Sequence, residues 1–230
     1  MNQADTSGVD APLFETVERA SGPNPAAAIV WLHGLGADGH DFEPVVPSLD
    51  VPGGLRFVFP HAPVRPVTIN GGYPMRAWYD IAALNAAPPK DEAGFIASVA
   101  GARRLIDREI AAGFPPERVF VAGFSQGGSV ALHAALTYPR RLGGIVALST
   151  WLPFPEGLAS ARRPENAATP VFMAHGSQDP VVPEAAGRMA AEQLETWEQP
   201  VEWHSYPMPH AVCPEEIVAI RTWLTDRLAA

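Results

Sequence analysis

Residues 119–138 read VFVAGFSQGGSVALHAALTY. The run Val119 to Ala122 has the length and apolar composition of a buried strand. Gly123-Phe124-Ser125-Gln126-Gly127-Gly128 interrupts it, and Ser129 to Tyr138 reads as a helix. A strand, a sharp turn and a helix around a serine with glycine two residues to either side make a nucleophile elbow. The turn lifts the serine clear of the strand end and brings its flanking positions together, where side chains would collide. The helix behind it directs free N–H groups at the same point, so the Gln126 amide is placed to stabilise an oxyanion. A chain of this composition offers roughly 0.08 chance occurrences of the five-residue pattern, and the flanking strand and helix make coincidence rarer still.

The rest of the chain alternates in the same way. Short apolar runs predict strands at 28–32, 55–59, 144–148, 171–174 and 201–206. Helical spacing joins Phe95, Val99, Ala102, Ile106 and Ile110 behind the acidic start Asp91-Glu92, and Glu184 to Trp197 and Glu215 to Leu228 read as two more helices. Strands alternating with helices predict an α/β fold built on a mainly parallel sheet flanked by helices. With 230 residues, 47% of them hydrophobic, one domain spanning 1–230 is expected, with about 1–12 as a flexible N-terminal segment.

A serine needs a base to take its proton and an acid to hold that base in the right tautomer. In this kind of fold the chain order is serine, acid, histidine. Four histidines follow Ser125. His133 lies two turns into the helix, His175 ends a strand and precedes any downstream aspartate, and His204 sits within a strand; each reads as a packing or hydrogen-bonding residue. His210, in Pro207-Met208-Pro209-His210 between the last strand and the last helix, can fold back over the elbow. The only aspartate between Ser125 and His210 is Asp179, in the loop His175-Gly176-Ser177-Gln178-Asp179-Pro180. Glu184 stays open as an alternative acid.

The first strand runs into His33-Gly34-Leu35-Gly36-Ala37-Asp38-Gly39. Gly34, Gly36 and Gly39 formally satisfy G-x-G-x-x-G, which raises a dinucleotide-binding oxidoreductase as a rival. That reading needs a helix opening on the loop and an acid ending the next strand. Pro44 and Pro47 interrupt the first, and Phe59-Pro60-His61 lacks the second. The glycines are better read as letting backbone approach a substrate, with this loop supplying the second oxyanion N–H. His33, His40 and His61 lack the spacing and partners of a metal site and read as local hydrogen-bonding groups.

Bulk properties exclude other classes. A net charge of −9, with Arg103-Arg104, Arg140-Arg141 and Arg162-Arg163 as isolated pairs and no basic patch, argues against a nucleic-acid partner. The single cysteine, Cys213, rules out an intrachain disulfide and fits a reducing compartment. No leader-like N-terminus and no apolar run of membrane-spanning length is visible, so a cytoplasmic protein without stable membrane insertion is expected.

Further stretches tie these motifs together: LHGLGADGHDF (32–42), FPHAP (59–63), RAWYDI (76–81), GFSQGG (123–128), LSTWLP (148–153), HGSQDPVVP (175–183) and YPMPH (206–210). With them the chain resembles the phospholipase/carboxylesterase family, which includes bacterial carboxylesterases and acyl-protein thioesterases, along almost its whole length. The resemblance implies an α/β-hydrolase fold without a lid domain. It implies Ser125, Asp179 and His210 as catalytic triad, the Leu35 and Gln126 amides as oxyanion donors, and Trp78 and Trp151 as walls of the acyl site. The expected activity is hydrolysis of short- to medium-chain carboxylic esters through an acyl-enzyme, with no cofactor and no metal. The same triad would serve a thioesterase or a lysophospholipase, and a homodimer is compatible with it. A binding protein on this fold would be expected to lack a triad member, and here none is missing. Two departures from the family pattern stand out: Ser129 where alanine is common, and Ala211 where serine is frequent.

Overall fold

The strand containing Val119–Ala122 lies at the middle of a seven-stranded sheet, for a reason visible in its composition. It is buried on both faces, as only a central parallel strand is. The computed structural model describes residues 14–83 and 90–229, so the segment expected to be flexible, about 1–12, lies outside the described residues.

In chain order the strands are β1 (Thr16–Ala20), β2 (Ala27–Leu32), β3 (Leu55–Pro60), β4 (Val64–Val67), β5 (Tyr73–Arg76), β6 (Val119–Phe124), β7 (Gly144–Leu148), β8 (Val171–Gly176) and β9 (Val201–Tyr206). The main sheet has the order β1-β3-β2-β6-β7-β8-β9, while β4 and β5 form a separate antiparallel hairpin. Every neighbouring pair in the main sheet is parallel except β1 with β3. The helices are α1 (Glu92–Ala111), α2 (Gln126–Leu136), α3 (Pro155–Ala161), α4 (Glu184–Thr196) and α5 (Pro214–Ala229).

The two-residue period of a strand sends alternate side chains to opposite faces. From β2, Val30 and Leu32 join one core with Phe95 and Ile106 of α1, Val130 of α2 and Leu194 of α4. Ile29 and Trp31 join the other with Leu49 and with Ile217, Ile220 and Leu224 of α5. The sheet is thus sandwiched between helices, the arrangement of an α/β-hydrolase.

Three elements differ from the sequence expectation. The edge strand β1 pairs antiparallel with β3, from Thr16↔Pro60 to Ala20↔Arg56; being half exposed, it shows no apolar run. The hairpin β4–β5 carries two prolines, which an isolated two-stranded ribbon tolerates because half its backbone donors face no partner. The segment between β7 and β8, to which the sequence assigns no element, holds α3, whose seven residues are too few for a lid. The glycine-rich loop after β2 leads into the 3-10 helix Glu43–Ser48, which contains Pro44 and Pro47, and no α-helix opens there as dinucleotide binding would need.

Because β2, β6, β8 and β9 run in parallel, their C-terminal ends share one edge of the sheet. The loops that follow these four strands carry Leu35, Ser125, Asp179 and His210.

Candidate active site

Ser125 sits between β6 and α2 with φ 54° and ψ −122°, a conformation costly for any residue but glycine. The surroundings enforce it. A Cβ on Gly123 would lie 2.3 Å from the Gly127 carbonyl oxygen, and one on Gly127 would lie 2.4 Å from that of Leu32. The Ser125 amide donates to the Leu148 carbonyl at 2.8 Å, and the Ser125 carbonyl accepts the Thr150 hydroxyl at 2.7 Å. Gln126 is the first residue of α2, so its amide has no partner within the helix and faces the turn.

Asp179 and His210 are brought together by loops that zip onto each other. The Ser177 amide donates to the Tyr206 carbonyl at 2.8 Å and the Gln178 amide to that of Met208 at 3.1 Å. Gly176 permits this closeness, since a Cβ there would stand 2.3 Å from the Met208 carbonyl oxygen. The Asp179 side chain is fully buried, and its oxygens divide the work. Oδ1 accepts the amides of Val181 at 2.8 Å and Val182 at 2.9 Å; Oδ2 lies 2.6 Å from His210 Nδ1. A buried carboxylate is tolerable only when so satisfied. The bond fixes the proton of a neutral His210 on Nδ1 and leaves Nε2 free to accept another. The His210 ring packs against Phe124, with centroids 4.7 Å apart. Glu184, the alternative acid, is bonded to the Ser205 hydroxyl instead.

Ser125, Gln126 and His210 line one cleft of about 220 Å³ together with Gly34, Leu35 and Phe124. Ile69, Ile81, Trp151 and Val181 give it apolar walls, and Asp41 and Asn70 contribute polar groups. In the loop, the Gly36 amide is taken by the Arg76 carbonyl and that of Ala37 by the Gly34 carbonyl, while the Leu35 amide has no acceptor among the described residues. The amides of Leu35 and Gln126 thus border the cleft without a backbone acceptor among the described residues.

Of the two tryptophans expected at the acyl site, Trp151 lines the cleft and Trp78 does not. Trp78 is fully buried, with its indole N–H donating to the His33 carbonyl at 2.8 Å and its amide to Gln126 Oε1 at 2.7 Å. An aromatic motif next to a site cannot distinguish a wall from a brace, and here the indole braces the loop that bears Leu35.

Further positioning residues escape sequence reasoning. His33 is buried between Gly34 and Ala62, which use both its ring nitrogens, and burial pushes it down to about 4. The Gln126 side chain bridges the loop after β5, donating to the Tyr79 carbonyl at 2.7 Å as it accepts from Trp78. His175 lies 3.5 Å from Asp179 Oδ2 and donates from Nε2 to the Val182 carbonyl at 2.9 Å; burial lowers its pKa and favours the neutral donor. Ser129, one of the departures from the family pattern, donates to the Trp151 carbonyl at 3.0 Å and so holds a residue of the cleft wall. The only signal for His33 and His175 in the sequence is a polar residue closing an apolar run. His133 is buried with Nε2 2.7 Å from the Pro153 carbonyl, and His204 stacks on Phe172, as packing residues do.

The profile of the phospholipase/carboxylesterase family matches residues 14–227. The chain is 40% identical over 227 residues to an acyl-protein thioesterase 1 of Mycosarcoma maydis, covering 91% of this chain and 95% of that protein. It is 35% identical to a probable carboxylesterase of Oryza sativa subsp. japonica, with 99% and 87% covered. The crystal structure of SOBER1 from Arabidopsis thaliana superposes with a TM-score of 0.82 at 36% identity, covering 88% of this chain and 99% of that one. Strand order, elbow and matched length agree: the chain belongs to the phospholipase/carboxylesterase family of α/β-hydrolases.

Proposed function

We propose that this protein is a single-domain serine esterase that hydrolyses short- to medium-chain carboxylic esters through an acyl-enzyme on Ser125. The observation that carries the reading is the 2.6 Å bond from Asp179 to His210 Nδ1, in a cleft where His210 and the strained Ser125 both form walls. In this mechanism His210 Nε2 takes the hydroxyl proton as Ser125 Oγ attacks the ester carbonyl. The Leu35 and Gln126 amides stabilise the oxyanion. The tetrahedral intermediate collapses, the C–O bond to the alcohol breaks, and His210 passes its proton to the departing oxygen. Water then attacks the acyl-enzyme, giving a proton to His210; the second tetrahedral intermediate collapses, the C–O bond to Ser125 Oγ breaks, His210 returns the proton to that oxygen, and the carboxylic acid leaves. No step calls for a cofactor.

A second reading, hydrolysis of an acyl thioester, uses the same residues. It is supported by the relative named as an acyl-protein thioesterase. A lysophospholipase would differ only in the alcohol that leaves. With no described helix long and apolar enough to cross a membrane, and with Cys213 free, a cytoplasmic setting fits the proposal.

The test is intact-mass analysis after exposure to a fluorophosphonate, which reacts quickly only with an activated serine. One adduct, mapping to Ser125 and lost in Ser125→Ala, is expected. Labelling elsewhere, or none, would refute the nucleophile assignment. Parallel rates on matched oxygen and sulfur esters separate the two substrate readings.

A further inference from the structure

The catalytic cleft has two unlike walls. Ile69, Ile81, Trp151 and Val181 form the apolar one and pack on the core shared with α1, α2 and α4. Phe124 forms the other, 5.7 Å from Phe42 between ring centroids, and packs on the core shared with α5. His210 lies against Phe124 at 4.7 Å, so the group that protonates the departing oxygen is on this second side. Asp41, the residue before Phe42, also lines the cleft. It is the only acidic side chain among the described residues that does so, and no lysine or arginine among them lines the cleft to offset it.

The Asp41 carboxylate has no hydrogen bond or ion pair with any described residue. Loss of solvent and the nearby Asp38 carboxylate both push its pKa up, and no cation acts in the other direction. The loop nevertheless fixes its position. The Asp41 amide donates to the Asp38 carbonyl at 3.1 Å, the His40 amide to Asp38 Oδ1 at 2.8 Å, and the Gly39 amide to His61 Nδ1 at 3.0 Å. We propose that Asp41 selects esters whose leaving group carries a positive charge. The proposal rests on the serine-esterase reading above and names a substrate class within it: alcohols, or thiols in the thioester case, that bear an ammonium group a few atoms from the scissile bond. Such a group would supply the counter-charge that the fold withholds. The same carboxylate disfavours anionic leaving groups, which is the repulsive half of a specificity device.

Initial rates on butyrylcholine and on its uncharged isostere, in which a carbon replaces the quaternary nitrogen, test this on the full chain. At about 10 mM ionic strength the choline ester should have a kcat/KM roughly 3- to 10-fold the higher, and the two should approach parity near about 1 M as screening shortens. Asp41→Asn, nearly the same shape, should remove most of that difference. The ratio of two esters cancels any general change in turnover, including whatever Asp41 lends to the His210 imidazolium in both reactions. Glu117→Gln removes the same charge from the 3-10 helix before β6, at the opposite edge of the sheet, and should keep the wild-type ratio. That control separates Asp41 from the overall field of a chain with net charge −9. The salt dependence is read on the unmodified enzyme, so a variant that fails to fold does not shelter the proposal. Parity at low salt, an undiminished ratio in Asp41→Asn, or an equal loss in Glu117→Gln would overturn the role of Asp41 and leave the esterase reading standing. Hydrolysis of both esters no faster than by Ser125→Ala would overturn both.

Discussion

His33 holds the Gly34 carbonyl at 2.6 Å from Nδ1, and its Nε2 accepts the Ala62 amide at 3.0 Å. Since a backbone N–H can only donate, the ring proton is on Nδ1 and the Gly34 carbonyl is the acceptor. A peptide plane points its C=O and N–H in opposite directions, so pinning the Gly34 oxygen aims the Leu35 N–H away from His33.

Loss of that brace should be felt in the transition state more than in binding. His33→Ala is expected to lower kcat by about 10- to 100-fold, somewhat less than outright loss of an oxyanion donor, with KM within a few-fold. Because burial pushes His33 down to about 4, it stays neutral at higher pH, and the variant should show an acid limb of kcat/KM at the wild-type position above about pH 5. A limb that moves would mean that His33 takes part in proton transfer.

Asp179→Asn should keep the fold and lower kcat by something like 10⁴. The amides of Val181 and Val182 would select the asparagine oxygen, turning its NH₂ toward His210 Nδ1. Two donors would then face each other, and His210 would move its proton to Nε2, the atom that must accept from Ser125. Steady-state kinetics beside a thermal melt check this; activity within tenfold of wild type would move the orienting role to another acid, Glu184 first despite its bond to the Ser205 hydroxyl.

Much of this site is legible in the sequence because parallel strands announce themselves. Val119–Phe124 and Val171–Gly176 are buried along their whole length or nearly so, and the loops they lead into carry the polar residues that matter. Chain order then selects Asp179 and His210. What the sequence hides are the braces. Trp78 reads as a substrate wall because aromatic motifs near a site have no direction, and its role depends on where the His33 carbonyl points. The bridge from Gln126 to Tyr79 spans 47 positions along the chain, a contact that no local pattern encodes. Edge strand β1 goes unseen for the opposite reason: it buries only Val17, and its place comes from pairing with β3.

Glu216 ties stability to pH. It is fully buried in the first turn of α5, both its oxygens lack a hydrogen-bond partner among the described residues, and burial pushes it up to about 8. Its folded pKa is thus above the ordinary 4.5, so between about 4.5 and 8 the folded state keeps a proton that the unfolded chain releases. Stability should fall as pH rises through that window, by an order of a few kcal/mol in all. His33 and His133, both held near 4 by burial, act in the opposite direction, costing stability as pH falls below about 6.5. Glu216→Gln should abolish the decline between about pH 6.5 and 8 and, between about 4.5 and 6.5, leave the gain in stability from His33 and His133 unopposed; denaturant melts at about pH 5, 6.5 and 9 measure both. An unchanged alkaline slope would place the titration elsewhere.

The elbow should tolerate no added atom. Gly127→Ala drives a Cβ into the carbonyls of Leu32 and His33, at 2.4 and 2.5 Å, and backbone atoms cannot swing aside as a flexible side chain can. A loss of about 2–3 kcal/mol or failure to fold is expected from chemical denaturation. Gly71→Ala, in the open tip of the β4–β5 hairpin, meets no atom within 4 Å and serves as the control, costing only the strain of its positive φ.

Acyl preference follows from the walls of the cleft. At the roughly 30 Å³ that a water-sized group occupies, 220 Å³ holds about seven such groups, and the reacting carbonyl and part of the alcohol take some of that space. Rates on nitrophenyl esters should therefore rise from acetate to about hexanoate, each buried methylene adding at most about 0.8 kcal/mol, and then level off or fall. Ile69 and Asn70, at the turn of the β4–β5 hairpin, overhang the cleft, but the hairpin is fastened. The Ile69 amide donates to the Ile81 carbonyl at 2.9 Å, and Asp80 accepts both the amide and the hydroxyl of Thr68. A fastened flap has no closed state for an interface to open, so no jump in rate is expected as substrate passes its solubility limit. Trp151 separates the cleft from a shallow apolar groove formed by Leu152, Pro155, Ala186 and Met189. Trp151→Ala should join the two and shift the optimum toward longer chains by a few carbons, while leaving acetate hydrolysis within a few-fold of wild type. A wild-type enzyme that strongly prefers insoluble long-chain esters, or a Trp151→Ala variant with an unshifted optimum, would show that the acyl chain leaves the cleft by another route.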